Sequence, residues 1–177
     1  ATYKWLLGPY SLCLSFIGEK FNQGIPLEES WMNRVNAKDF SRLSEYAVDY
    51  NPGASRYTVG EVSNFTLIPM LQASLDQLLI WTPEAIQDYA RELNGPIIKF
   101  ITEKGGEVEP ANYLAEHLIA PKLPQGINAE VLKKELELNR VYVSVRGEFL
   151  RISINVFNEP KDLQVLMDVI GQQLISV

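Results

Sequence analysis

Two stretches of this chain hold residues whose types and spacing suit chemistry. In Tyr3-Lys4-Trp5-Leu6-Leu7-Gly8-Pro9 a lysine stands between aromatic residues at the mouth of a Gly-Pro turn. Desolvation there would favour the neutral amine, the form that attacks a carbonyl to make a Schiff base. The plainer alternative is a lysine whose stem snorkels along the rings. In Leu150-Arg151-Ile152-Ser153-Ile154-Asn155-Val156-Phe157, apolar and polar side chains alternate with the period of a strand, so Arg151, Ser153 and Asn155 share one polar face. On a cleft wall Arg151 would clamp a carboxylate through its paired donors and permanent charge, and on open surface it would be an ordinary solvated group. Arg146, five residues earlier at a hairpin, can join it.

The remaining candidates are weaker. The one histidine, His117, has no partner at catalytic spacing and reads as structural. The one cysteine, Cys13, lies inside Leu12-Cys13-Leu14-Ser15-Phe16-Ile17 and reads as an inert core thiol. One His and one Cys leave no zinc set and no intrachain disulfide, so the compartment reads as reducing and cytoplasmic. Glu28-Glu29 and Glu135/Glu137 read as solvated faces. No glycine-rich phosphate loop and no nucleophile elbow occur.

Composition narrows the classes further. Of 177 residues 46% are apolar, and 16 basic against 22 acidic side chains leave a net charge of −6. The isoelectric point near 4.9 and mean hydropathy of −0.06 are those of an ordinary globular chain. Without a Lys/Arg cluster, nucleic acid is not expected as a partner. No window approaches the length of a membrane span. The apolar opening is not read as a signal peptide, because Gly8-Pro9 interrupts it and Gly18-Glu19-Lys20-Phe21 stands where a cleavage site belongs. It reads instead as a core strand of a larger protein.

The elements that would position these residues follow from periodicity. Residues 11 to 17 predict a buried strand bounded by Gly8-Pro9 and Gly18. From Asn22 to Ser63 the chain reads as loop, with one short helix around 37 to 46. Leu67, Ile68, Leu71, Leu75, Leu78 and Leu79 predict a helix ending near Trp81. Thr82-Pro83-Glu84 starts another, which Gly95-Pro96 should bend or break and Gly105-Gly106 should end. Then come a strand over 117–123, a helix capped by Asn128 with Val131, Leu132 and Leu136 inward, a hairpin at Arg146-Gly147-Glu148, and a final helix after Asn158-Glu159-Pro160. The class is α/β.

In this order the pieces resemble the C-terminal part of the class V aminotransferases, the pyridoxal-phosphate-dependent group that includes cysteine desulfurases, kynureninase and isopenicillin N epimerase. Tyr3-Lys4-Trp5-Leu6-Leu7-Gly8-Pro9-Tyr10 resembles the segment with the cofactor lysine. Asn51-Pro52-Gly53-Ala54-Ser55-Arg56-Tyr57 through Gly60 resembles the region that reaches the neighbouring subunit's cofactor phosphate. Leu150-Arg151-Ile152-Ser153 through Phe157-Asn158 resembles the strand whose arginine binds the substrate carboxylate. The resemblance implies the C-terminal part of a pyridoxal-phosphate-dependent transferase fold: residues 1–81 from the large domain, 82–106 as a linking helix and 107–177 as a small α/β domain. It implies a cytoplasmic homodimer acting on an amino acid as small-molecule substrate, with pyridoxal 5'-phosphate on Lys4, the substrate carboxylate on Arg151, and Arg146 near the substrate side chain. Where the family has threonine this chain has Glu61, whose charge repels phosphate, so Gly60, Ser63 and Asn64 are left to hold that group. The family usually has glycine at the positions of Ser11 and Cys13. Only four residues separate Arg146 from Arg151, so the cysteine-bearing loop of desulfurases is absent. The segment that stacks on the ring and pairs its nitrogen precedes the lysine in the family, so this stretch alone is not expected to hold the cofactor productively. Transamination, elimination, epimerisation and desulfuration stay open, as do a non-catalytic binding or dimerisation module of this fold and an unrelated small α/β domain.

Overall fold

Helix forms where the apolar period is strongest: α1 is Leu67–Trp81, α2 Pro83–Glu103, α3 Ala129–Leu138 and α4 Pro160–Ile175. The computed structural model describes residues 1–42, 44–60 and 63–175. Contacts divide the chain into two units, Ala1–Ile80 and Trp81–Val177.

The second unit holds the apolar core. Ala90, Leu93, Ile97 and Ile101 of α2, Leu132 and Leu136 of α3, and Leu163, Leu166, Val169 and Ile170 of α4 pack in one cluster with Ile119, Leu123, Leu150, Ile152 and Ile154. Caps match the sequence signals. The Thr82 hydroxyl accepts from Ala85 N at 3.3 Å, and Asn128 Oδ1 accepts from Glu130 N and Val131 N at 3.0 and 3.1 Å. Helix α2, read from the sequence as a link, contributes to this unit's core. It continues unbroken through Gly95-Pro96, so the expected break does not occur. A proline inside a helix costs about 3 kcal/mol. Complete burial of Ile97 and Ile101 just beyond it contributes roughly 1.5–3 kcal/mol each, enough to offset that. Gly105, at φ +86°, turns the chain out of the helix. Gly106 then passes so near the backbone that a Cβ would lie 2.7 Å from the Lys122 carbonyl.

The strands are shorter than the alternation suggests. β1, Ser144–Arg146, and β2, Phe149–Arg151, form an antiparallel hairpin pairing Ser144 with Arg151, Val145 with Leu150 and Arg146 with Phe149. The other edge of β2 meets the extended segment 117–123: Ile119 and Ile152 exchange both backbone bonds at 3.0 and 2.9 Å, and Leu150 N donates to the Pro121 carbonyl at 3.0 Å. Glu107 pairs in turn with Lys122. One face of this small sheet, with Ile119, Pro121, Leu123, Leu150, Ile152 and Ile154, is buried against the helices. Val131, expected inward on α3, points to solvent, because Leu132 and Leu136 already fill the face toward the core.

The first unit is built differently. The run 11–17 is not a strand: it has no regular secondary structure and is largely exposed, with Phe16 at 95% and Cys13 in solvent, so the expectation of a buried strand and a core thiol is overturned. A strand needs a neighbour to take its N–H and C=O groups in turn, and among the described residues only the Leu12 carbonyl of this run takes a backbone donor, Thr2 N at 3.3 Å. The expected helix at 37–46 is a single 3-10 turn, Phe40–Arg42, among the described residues. Polar bonds tie the loops instead. Asn33 is wholly buried and its amide donates to the Glu28 carbonyl at 2.8 Å, Arg56 Nη1 donates to the Gly24 carbonyl at 3.0 Å, and the Tyr57 hydroxyl donates to the Phe21 carbonyl at 2.6 Å. Tyr50 donates its hydroxyl to the Glu29 carboxylate, which also pairs with Arg34. The Tyr50 bond, with Arg34 beside it, holds the Glu29 carboxyl below its ordinary range.

Candidate functional site

Lys4 sits at the tip of a loop closed at its base by Thr2. The Thr2 side chain is fully buried. Its hydroxyl lies 2.8 Å from the Pro9 carbonyl and 3.0 Å from the Leu12 carbonyl, and Gly8 N donates to the Thr2 carbonyl at 2.8 Å. Tyr3 and Tyr10 stack across the loop with ring centroids 4.1 Å apart. Sequence reasoning missed both devices, since each joins residues seven apart without any periodic signal. The loop passes against α1, where a Cβ on Gly8 would lie 2.9 Å from Leu71 Cδ1. It is bounded by two non-glycine residues in the left-handed region, Leu7 at φ 54° and Ser11 at φ 69°. A left-handed φ suits glycine, so Ser11 stands where a glycine would sit without strain.

Lys4 itself is exposed, and its Nζ lies over the Tyr3 ring, 5.7 Å from the centroid, with no ion pair among the described residues. The desolvated setting expected from its aromatic flanks is not supplied by this chain, because one ring at that distance leaves the amine in solvent.

The residues expected near a phosphate are also in the first unit. Gly60 and Ser63 are exposed. Asn64 caps α1, its Oδ1 accepting from Leu67 N at 2.9 Å, which leaves its amide NH2 as a donor. A Cβ on Gly60 would stand 4.0 Å from Glu28 Oε1, and a carboxylate so near works against an anion at that point. Glu61 lies outside the described residues. By chemical type an amine suits the aldehyde of pyridoxal phosphate, and a hydroxyl and an amide suit its phosphate; the carboxylate near Gly60 does not.

Arg151 and Arg146 are in the second unit. The hairpin register places Ser144, Arg146, Phe149 and Arg151 on the sheet face away from the helices, opposite the buried Leu150. Arg151 is half-buried, and its guanidinium makes no hydrogen bond or ion pair among the described residues. Arg146 is exposed, and Nη1 donates only to the Val145 carbonyl at 2.8 Å. The other cation on this face is engaged: Lys122 Nζ lies 3.8 Å from Glu107 and 3.5 Å from Glu148. Past Arg151 the hairpin arms separate, and a cleft of about 590 Å³ opens between 141–143 and 152–154, lined by Tyr142, Ser153 and Phe157.

His117 faces the helices from the end of its segment. Its Nδ1 lies 3.2 Å from Gln87 Nε2, and its carbonyl accepts from Ile154 N at 3.2 Å. Among the described residues no group of three or more His, Cys, Asp or Glu is placed to hold a metal, and no helix is long and apolar enough to cross a membrane.

No family model matches the chain, and no curated protein matches it in sequence. Solved structures do match. Apo cysteine desulfurase from Thermococcus onnurineus NA1 is 14% identical over 92% of this chain and 42% of that one, with a TM-score of 0.67. A NifS-like protein is 16% identical over 73% of this chain and 39% of its own, with a TM-score of 0.60. Alanine–glyoxylate aminotransferase from Nostoc sp. is 16% identical over 69% and 34%, with a TM-score of 0.52. The chain therefore has part of the fold of the pyridoxal-phosphate-dependent transferases, and it spans roughly two fifths of the length of the solved structures it matches.

Proposed function

We propose that this chain is part of a pyridoxal-phosphate-dependent enzyme acting on an amino acid, in which Lys4 holds the cofactor through its amine and Arg151 holds the substrate's carboxylate. The observation that carries the reading is Arg151: a half-buried guanidinium, unpaired among the described residues, on a sheet face that no helix of its unit covers. In a chain with 22 acidic side chains, a cation left without one is available to an outside anion.

When bound, pyridoxal phosphate supplies an electron sink for charge developing at the substrate's α-carbon. The chain's own groups do the rest. Arg151 fixes the carboxylate by a two-pronged charge-assisted contact, which sets the orientation of the bonds at that carbon. The Lys4 amine, on a loop whose base Thr2 ties down, can take a proton from that carbon or return one to it. Ser63 and the Asn64 amide would donate to the phosphate. Homodimerisation and a cytoplasmic location belong to the same proposal.

The test uses the longer protein that contains this chain. Purified with pyridoxal phosphate, it should show the visible absorbance band of a lysine-bound cofactor, and Lys4→Ala should abolish the band. A band that survives in the variant would remove Lys4 from its role. A protein that binds no cofactor at all would instead favour the non-catalytic module.

A further inference from the structure

The outer face of the second unit's sheet presents two guanidinia, not one. Arg146 and Arg151 are diagonal neighbours across the hairpin, because Arg151 pairs with Ser144 and Arg146 stands two residues further along β1. Such positions lie about 7–8 Å apart. Neither guanidinium meets a carboxylate among the described residues. Two like charges rooted this close repel unless an anion lies between them. The neighbouring acids do not fill that place, since Glu107 and Glu148 at this edge are both held by Lys122. Most other arginines of the chain behave otherwise: Arg34, Arg42 and Arg91 each pair with an acid.

We infer that the substrate is a dianionic amino acid, one with an acidic group on its side chain as well as its α-carboxylate, and that Arg146 binds the second acid while Arg151 binds the first. This rests on the proposed role of Arg151 and adds the substrate class. The two stems are long and can close on acids separated by a short carbon chain, and Phe149, between them on the same face, gives that chain an apolar surface. A monocarboxylic substrate would leave Arg146 idle, and a charge-assisted contact at Arg146 is worth about tenfold in affinity.

The experiment is a titration of the longer protein that contains this chain, purified with pyridoxal phosphate and nitrogen-15 labelled at arginine, with L-aspartate or L-glutamate against L-alanine, following the Nε–Hε signals of Arg146 and Arg151. Aspartate or glutamate should move both signals and bind at least tenfold more tightly than alanine, which should move Arg151 alone. Arg146→Gln should bring the dianion down to the alanine level. Arg146→Lys, which keeps the charge and loses the fork, should fall between, so a defect of folding is told apart from a loss of the contact. Equal binding of alanine and the dianions, with Arg151 still responding, overturns this inference and leaves the proposed function standing. No response at Arg151 to any of them overturns both.

Discussion

At the scale of single residues, the informative groups are those whose surroundings break a rule. Arg151 is legible in the sequence because alternation alone assigns it a face, and the structure adds that the face is uncovered and the charge unpaired among the described residues. Lys4 is legible only by type and neighbours. Its environment depends on which ring stacks on which, and Tyr3 pairs with Tyr10. Ser11 carries a conformational cost that no sequence pattern announces, since a left-handed φ of 69° strains any residue with a Cβ. Replacing Ser11 with glycine should relieve that strain and stabilise the loop that presents Lys4 by about 1 kcal/mol. Urea unfolding compared with the parent chain measures it, and an unchanged or lower midpoint would mean that the conformation is not strained.

Elements behave as their apolar faces dictate, even against local breakers. Helix α2 shows this most clearly: Gly95-Pro96 is a stop signal by propensity, yet the helix continues because Leu93, Ile97 and Ile101 lie on one buried stripe. Apart from its chain neighbours and the helix's own backbone, nothing lies within 4 Å of where a Cβ on Gly95 would be. Gly95→Ala should therefore gain less than the roughly 0.5–1 kcal/mol of helix propensity, because the new Cβ meets the ring of Pro96 in the helical conformation. Thermal unfolding followed by circular dichroism reads this directly, and a gain of the full propensity difference would show that the ring leaves the Cβ room. The hairpin carries the complementary lesson. Its pairing stops at Ser144 and Arg151 although alternation continues on both arms, and the separation opens the cleft beside Ser153.

For the whole molecule, the contrast between the two units decides how it should behave. The second unit gathers fifteen buried apolar side chains into one cluster. The first leaves Phe16, Ile25, Leu27, Phe40, Val48 and Phe65 in solvent, and among its described residues the polar Thr2, Asn33 and Arg56 are buried alongside only Pro26, Leu71 and Leu78. Apolar burial is the main favourable term in folding, so local stability should follow it. Amide exchange on the intact chain should be slow at Ile119, Leu150 and Ile152 and fast across residues 11 to 60. Comparable protection in both units would show that the first unit has a stabilising source other than its own core. The first unit's exposed apolar surface accords with a chain that spans about two fifths of the structures it resembles.

The amino-acid sequence by itself determined the four helices, their caps at Thr82 and Asn128, the hairpin with Arg146 and Arg151, and the polar face they share. Each of these follows from spacing of two to four residues, which the backbone converts into a face without outside help. Only the tertiary structure decided the fate of residues 11 to 17, the setting of Lys4 and the continuity of α2. Whether an apolar run becomes a strand depends on a hydrogen-bonding neighbour, whether a lysine is desolvated depends on what covers it, and whether a proline is tolerated depends on what its helix buries. In each case the partner is remote in the chain, so the deciding energy is absent from the local pattern.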